Sequence, residues 1–194
     1  VGSEVDTAMA AMGDAVFVDC FTVGPRTSGA YQSAGGYASY AVVPASAVRR
    51  IPDGLSYNEA CNFAGNYETA YHCVVARGQL QAHETILIHG ASGSTGLAAV
   101  QMAKCLGATV IATGRSAEKL DVVKSQGADH VICIRREDGE PGVKRFRDEV
   151  KALTGGKGVD VVYDGVGGAV SLESLRCVRF GARFLVVGWA STPF

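Results

Sequence analysis

The sequence has no dominance of one charge: 18 Lys+Arg stand against 19 Asp+Glu, a net −1 over 194 residues. Neither nucleic acid nor an anionic membrane surface is therefore expected as the main partner. The six cysteines form no C-x-x-C pair, and no histidine lies at ligand spacing from them. That argues against a disulfide framework and against zinc. Most of the cysteines read as small buried hydrophobes, and a reducing, cytoplasmic setting is the default expectation. No apolar run approaches the ~20 residues of a membrane span. The opening VGSEVDTAMAAMGDAV also lacks the charged, apolar and cleavage-site order of a signal peptide.

Glycine, by contrast, is abundant, with 25 residues where average usage gives about 14. At about 100–150 residues per domain, the length suits one domain and part of another. The first 83 residues carry a net −3 and the remainder +2. That mild basic bias suits an anionic ligand, and a mixed solvated surface gives the same arithmetic.

The first 50 residues are rich in β-branched, aromatic and glycine residues. Strands are expected at Val16 to Val18, after the turn signal Gly13-Asp14, and at Tyr37 to Val43, after Gly35-Gly36. Residues 21–33, with Gly24, Pro25 and Gly29, read as a loop. Two or three strands cannot shelter a core, so this segment reads as part of a β-domain. Ser56-Tyr57-Asn58-Glu59 matches a capping box opening a helix, and a second helix is expected from about Asn66 to Arg77, closed by Gly78.

Strands and helices then alternate. Strands are expected at Thr85 to His89, Thr109 to Thr113, Val131 to Ile134, Val159 to Tyr163 and Arg183 to Val187. Helices are expected at Ser94 to Leu106, Ser116 to Gln126, Val143 to Leu153 and Val170 to Arg179, with Gly107, Gly127 and Gly181 as helix ends. Apolar strands separated by such helices imply an α/β fold, a doubly wound parallel sheet of Rossmann type covered on both faces.

Between the first of these strands and its helix lies His89-Gly90-Ala91-Ser92-Gly93-Ser94-Thr95-Gly96. Its three glycines are a variant of the dinucleotide fingerprint, in the required context of strand, turn and helix. The first permits a tight turn, the second lets backbone reach a pyrophosphate, and the third lets the helix lie close on the sheet. Free amides and the helix dipole would hold the phosphates, with Ser92, Ser94 and Thr95 adding hydroxyls. An NAD site usually places an acid at the end of the next strand. Here that place reads Thr113-Gly114-Arg115-Ser116-Ala117-Glu118-Lys119. Arg115, Ser116 and Lys119 suit a 2′-phosphate, which favours NADPH; the alternative is that Arg115 and Lys119 are ordinary solvated charges.

No tyrosine is followed four residues on by lysine, which disfavours the short-chain dehydrogenases. Several ordered motifs instead resemble the medium-chain dehydrogenase/reductase superfamily, in its zinc-free quinone oxidoreductase (zeta-crystallin-like) branch. Gly13-Asp14-Ala15-Val16 is similar to that family's G-D-x-V, Gly36-Tyr37-Ala38-Ser39-Tyr40 to its G-[GA]-[FY]-A-E-Y, and Ile51 to Ser56 to its I-P-D-G-L-S. Thr69-Ala70-Tyr71, the glycine turn, Lys151 to Tyr163 and Val187-Gly188 complete the series.

The resemblance implies a partial GroES-like β-domain over residues 1–52 and an NADP-binding Rossmann domain over 53–194. It also implies that further strands belong before Val1 and that a last sheet strand is missing after Phe194, so the true N-terminus and any targeting signal would lie outside the chain. It implies hydride transfer from NADPH to a small-molecule quinone or enone, and a homodimer in the full-length protein. By matching positions, Thr69 would approach the nicotinamide, Ser92, Gly93, Ser94, Thr95 and Gly96 the pyrophosphate, and Gly114, Arg115 and Lys119 the adenosine phosphate. Gly167, Gly168, Val187, Gly188 and Trp189 would line the ribose and nicotinamide, although glycines also simply end strands tightly. No catalytic acid is named; Tyr67, Glu68 and Tyr71 neighbour the expected nicotinamide site. Relatives often carry Asn-Tyr or Asn-His where this chain has Cys133-Ile134, with Arg135 and Arg136 adjacent. Ser94 and Thr95 replace the usual Gly and Val.

Overall fold

The computed structural model describes residues 6, 10–20, 22–23, 38–136 and 142–191. The chain divides into two compact units, Val1–Gly65 and Asn66–Phe194.

In the first unit, β1 (Val16–Val18) pairs antiparallel with β2 (Val48–Arg50), with Phe17 opposite Arg49. A 3-10 turn, Ala45–Ala47, leads into β2, and an Arg50–Asp14 ion pair of 3.0 Å closes the ribbon. The strand expected at Tyr37 to Val43 is not found: Tyr37 lies outside the described residues, as do Gly24 to Ser33, and 38–43 are not strand. That segment is β-prone in composition, but the ladder beside β1 is taken by Val48–Arg50. The described residues of this unit bury only Ala10, Ala47 and Ala60. A hollow of about 610 Å³ is lined by Ala10, Met12, Val16, Val18, Val42 and Val48 among others.

Ser56 opens α1 (Tyr57–Tyr71) as a reciprocal capping box: its amide donates to Glu59 Oε2 at 2.8 Å, and the Glu59 amide donates to Ser56 Oγ at 3.3 Å. The Ser56 bonds hold the Glu59 carboxyl below its ordinary value. Instead of two helices there is one run, because α1 passes through Gly65 and continues as a π-helical turn, His72–Arg77. A methyl at Gly65 would meet open space. Gly65→Ala is therefore expected to stabilise by roughly 0.5–1 kcal/mol, because alanine removes backbone freedom from the unfolded chain; a thermal melt checks it, and a lower Tm would refute it. Gly78 has an ordinary negative φ of −73°. It is needed because a Cβ would lie 2.7 Å from the Cys73 carbonyl, while Gln79 takes the left-handed turn at φ 46°.

The second unit holds a five-stranded sheet in the order β5-β4-β3-β6-β7, whose paired neighbours all run parallel. Its strands are β3 (Thr85–Ile88), β4 (Thr109–Gly114), β5 (His130–Cys133), β6 (Val159–Asp164) and β7 (Val178–Val186). The helices are α2 (Ser94–Cys105), α3 (Ala117–Ser125), α4 (Arg147–Leu153) and α5 (Gly168–Ser174). The inner strands β3, β4 and β6 are largely apolar and buried because both faces are covered, whereas β7, with Arg179 and Arg183, is mostly exposed or half-buried. Ile86, Ile88, Val110, Ala112, Val161 and Tyr163 meet the small residues of α2 and Val123 of α3. Their alternates Leu87, Ile111, Ile132 and Val162 meet Phe146, Val150 and Val170.

Three boundaries differ from expectation. Helix α4 begins at Arg147, with Val143 outside it and Leu153 39% exposed, so only Phe146 and Val150 of the expected face are buried. Helix α5 ends at Ser174, and β7 starts at Val178, five residues early. Gly181 therefore ends no helix. It lies inside β7 at φ 77°, where the pairing jumps from Val159↔Val178 to Val161↔Arg183. At the amino end of the sheet, Arg183 pairs with Glu84 and Arg179 with Asp160, whose other oxygen accepts from the Thr85 amide at 2.8 Å.

Candidate functional site

In the second unit the strand order reverses between β3 and β6. A crevice at such a switch point, outside the carboxyl ends of the strands, is where open α/β sheets take ligands. The first segment to reach it is the turn after β3. Gly90 takes φ 61°, and its carbonyl accepts from the Gly93 amide at 2.9 Å. Gly93 is the N-cap of α2 and supplies no side-chain cap, so the helix's first amides have no side-chain partner there. Ser92, Gly93 and Ser94 are exposed and Thr95 half-buried. Gly96 is buried beneath them: a Cβ on it would lie 2.4 Å from the Gly90 carbonyl oxygen and 2.8 Å from Ala91 Cα. The turn is thus built on backbone, with amides and the positive end of the α2 dipole open to an anion.

The second segment follows β4. The Ala91 amide donates to the Thr113 carbonyl at 3.2 Å, tying the glycine turn to the end of β4. Gly114 is buried against Leu120, and Arg115 and Lys119 are exposed. Neither cation makes an ion pair among the described residues. Ser116 caps α3, its Oγ accepting from the Lys119 amide at 3.3 Å.

The third segment follows β6 and β7. Asp164 is buried, and its Oδ1 accepts from the amides of Val166 at 2.8 Å and Gly167 at 3.0 Å, while Ser171 Oγ donates to Oδ2. The Asp164 carbonyl accepts from Val187 at 2.8 Å and Gly188 at 3.2 Å, so the end of β7 is stitched to this turn. Gly167 has φ 78° and ψ −167°, a region that only glycine enters readily. A Cβ on Gly168 would lie 2.9 Å from Ser191 Oγ. Trp189 is 60% exposed.

The structure therefore gathers Ser92 to Gly96, Gly114 to Lys119, Gly167, Gly168 and Val187 to Trp189 at the carboxyl ends of four parallel strands. Thr69 is half-buried on α1. Two residues away, the Tyr67 hydroxyl donates to Gln101 Oε1, which fastens α1 to α2; Tyr71 is 56% exposed. The Tyr163 hydroxyl reaches the Thr95 carbonyl at 3.4 Å, and burial pushes its pKa up to about 12.

Sequence reasoning passed over His89, Thr113, Ser174 and Asp164. His89 is 2% exposed, with Nδ1 2.7 Å from Thr113 Oγ1 and Nε2 2.6 Å from Ser174 Oγ. Burial holds its pKa down at about 4, against an upward pull from Asp164, so the ring is neutral near pH 7. The available signal was a single polar residue closing each of two buried strands, TILIH and VDVVYD.

Residues 94–194 match the family model described as "Zinc-binding dehydrogenase". A "Quinone oxidoreductase-like protein 2 homolog" of Nematostella vectensis is 35% identical over 191 residues, 98% of this chain and 50% of its own length. A mycobacterial protein solved in complex with NADPH superposes at TM-score 0.75 with 31% identity, covering 100% of this chain and 54% of that one. The CurK enoyl reductase structure aligns at TM-score 0.63 with 33% identity, over 71% of this chain and 39% of its own. The chain spans about half the length of the curated quinone oxidoreductase relatives it matches.

Proposed function

Because the chain belongs to the zinc-binding dehydrogenase family of the medium-chain dehydrogenase/reductase superfamily, we propose that it is the cofactor-binding part of an NADPH-dependent oxidoreductase acting on a quinone or activated enone. The observation carrying this reading is the uncapped glycine turn at the switch point, beside a β4 end that has no acid and two unpaired cations.

In this proposal Ser92 to Thr95 hold the pyrophosphate through α2's first amides, with Gly96 allowing the close approach. Arg115, Lys119 and the Ser116 hydroxyl take the 2′-phosphate beside Gly114. Gly167, Gly168, Val187, Gly188 and Trp189 line the ribose and nicotinamide side, and Thr69 approaches the nicotinamide from α1. Bound NADPH supplies the hydride, and the protein binds and orients it and excludes water. The domain division proposed is 1–52 for a substrate-side GroES-like part and 53–194 for the cofactor domain.

The family's name raises zinc, but among the described residues no group of three or more His, Cys, Asp or Glu side chains could hold a metal ion. Zinc-independent transfer is part of the proposal. No helix among the described residues is long and apolar enough to cross a membrane. A cytoplasmic homodimer acting on small molecules completes the reading.

The cofactor claim is tested by fluorescence titration. NADPH is expected to bind more tightly than NADH. Arg115→Ala is expected to weaken NADPH about tenfold or more, since a hydrogen bond to a charged group contributes about 1.5–3 kcal/mol, while barely changing NADH. Equal affinities in the unaltered chain would sink the assignment. A second reading, enoyl-thioester reduction, is favoured by the likeness to enoyl reductases. NADPH oxidation with 9,10-phenanthrenequinone supports the first and with crotonyl-CoA the second; binding without either activity supports a non-catalytic NADPH module.

A further inference from the structure

Within the apolar layer formed by Leu87, Ile111, Ile132, Val162 and Val170, His89 is a buried imidazole. A leucine would fill such a place at no polar cost, whereas a buried imidazole is tolerated only when both nitrogens are paired. Both are, and each bond leads to a different element. Nδ1 meets Thr113 of β4, the residue before Gly114 and Arg115, whose carbonyl already holds the Ala91 amide of the glycine turn. Nε2 meets Ser174 of α5, the helix that begins at Gly168. Ser174 Oγ also donates to the Val170 carbonyl at 2.8 Å, so it accepts from His89 Nε2–H, and Thr113 donates to Nδ1. The His89 amide donates to the Tyr163 carbonyl at 3.0 Å, and the ring lies against Phe146, centroids 5.5 Å apart.

We infer that His89 is a positioning residue for the dinucleotide site: its two ring nitrogens clamp the end of β4 and helix α5 onto the end of β3. The clamp fixes the spacing between the glycine turn, the Arg115 loop on one side and the Gly167–Gly168 turn on the other. It touches no part of a ligand and acts only through Thr113 and Ser174. The inference rests on the proposed cofactor reading.

The two arms are separable. Asn at position 89 places its amide near Nδ1 and keeps the Thr113 arm; Gln reaches toward Nε2 and keeps the Ser174 arm. The probes are 2′,5′-ADP, which reports the adenosine side alone, and NADPH, which spans both sides. His89→Gln is expected to weaken 2′,5′-ADP about three- to tenfold, the scale of one lost hydrogen bond. His89→Asn is expected to leave 2′,5′-ADP within about twofold while weakening NADPH about three- to tenfold. Thr113→Val, nearly isosteric and lacking only the hydroxyl, keeps the test open if the His89 variants fold poorly. It is expected to repeat the His89→Gln pattern, with Thr113→Ser restoring wild-type binding. A folded His89→Asn protein that weakens 2′,5′-ADP as much as NADPH would reduce His89 to a stabilising residue and overturn the clamp, as would variants that all bind like wild type. Wild-type protein that binds neither probe would instead overturn the cofactor reading, and the clamp with it.

Discussion

Replacing Gly96 with alanine is expected to lower stability by about 3 kcal/mol or more and to abolish tight dinucleotide binding. The added methyl would lie 2.4 Å from the Gly90 carbonyl oxygen, 2.8 Å from Ala91 Cα and 3.0 Å from the Gly90 carbonyl carbon. All three are backbone atoms of the turn itself, so no rotamer change relieves the contact; either α2 lifts off the sheet or the turn opens. Overpacking a core typically costs about 1–3 kcal/mol, and a clash against fixed backbone belongs at the top of that range. For a domain of this size, that is a fall of about 6–12 °C in Tm. Gly165→Ala is the control: it sits in the same crevice, with nothing within 4 Å of an added Cβ, and is expected to change stability by less than about 0.5 kcal/mol. A Gly96→Ala protein that melts within a degree of wild type and still binds NADPH would show that the turn is not built as described.

The second large effect is a loss of stability in mild acid. His89 titrates at about 4 in the folded protein because burial opposes its charged form, against an ordinary value of 6.5. A depressed folded pKa means that the unfolded chain binds more protons between those two values. The stabilising contribution is therefore complete above pH 6.5 and is lost as pH falls toward 4. With about 1.4 kcal/mol per pKa unit, the loss is about 3 kcal/mol. Carboxylates act in the same sense at lower pH. Burial alone would raise Glu84 and Asp129, but hydrogen bonds from Arg183 and the Gln81 amide, and from Lys104 and the Val110 amide, bring both below their ordinary values. Urea titrations at a series of pH values are expected to show stability falling already between pH 6.5 and 5, above the carboxylate range. His89→Gln should flatten that part of the curve while leaving the lower part. An unchanged slope in the variant would assign the acid sensitivity elsewhere.

The parallel sheet was legible in the sequence because a strand covered on both faces leaves a continuous apolar run, and four of the five strands fall within about a residue of expectation. The strand expected from Arg183 lies within β7, but its start was not legible, because Val178-Arg179 continues the helical spacing of Val170 and Ser174 while Val178 in fact pairs with Val159. The break expected before Asn66 is absent because a single glycine costs a helix only about 1 kcal/mol, too little to interrupt α1, which passes through Gly65. In the site, the glycine turn was legible because its requirements are those of the backbone, so they appear as glycine at fixed offsets. The His89 pairings were not, because Thr113 lies 24 residues away and Ser174 lies 85. No local pattern records contacts that only the sheet order creates.

In the proposed site, the residues that hold the turn and those that would choose the ligand are physically separate. Gly96 and Gly167 admit no substitution without disturbing backbone, whereas Arg115 and Lys119 project into solvent and hold nothing else in place. Substitution at the second pair would therefore change the proposed dinucleotide preference at almost no cost to folding. Under the proposed reading, binding a dinucleotide is tied to the fold itself, while the preference among dinucleotides rests on side chains that the fold does not need.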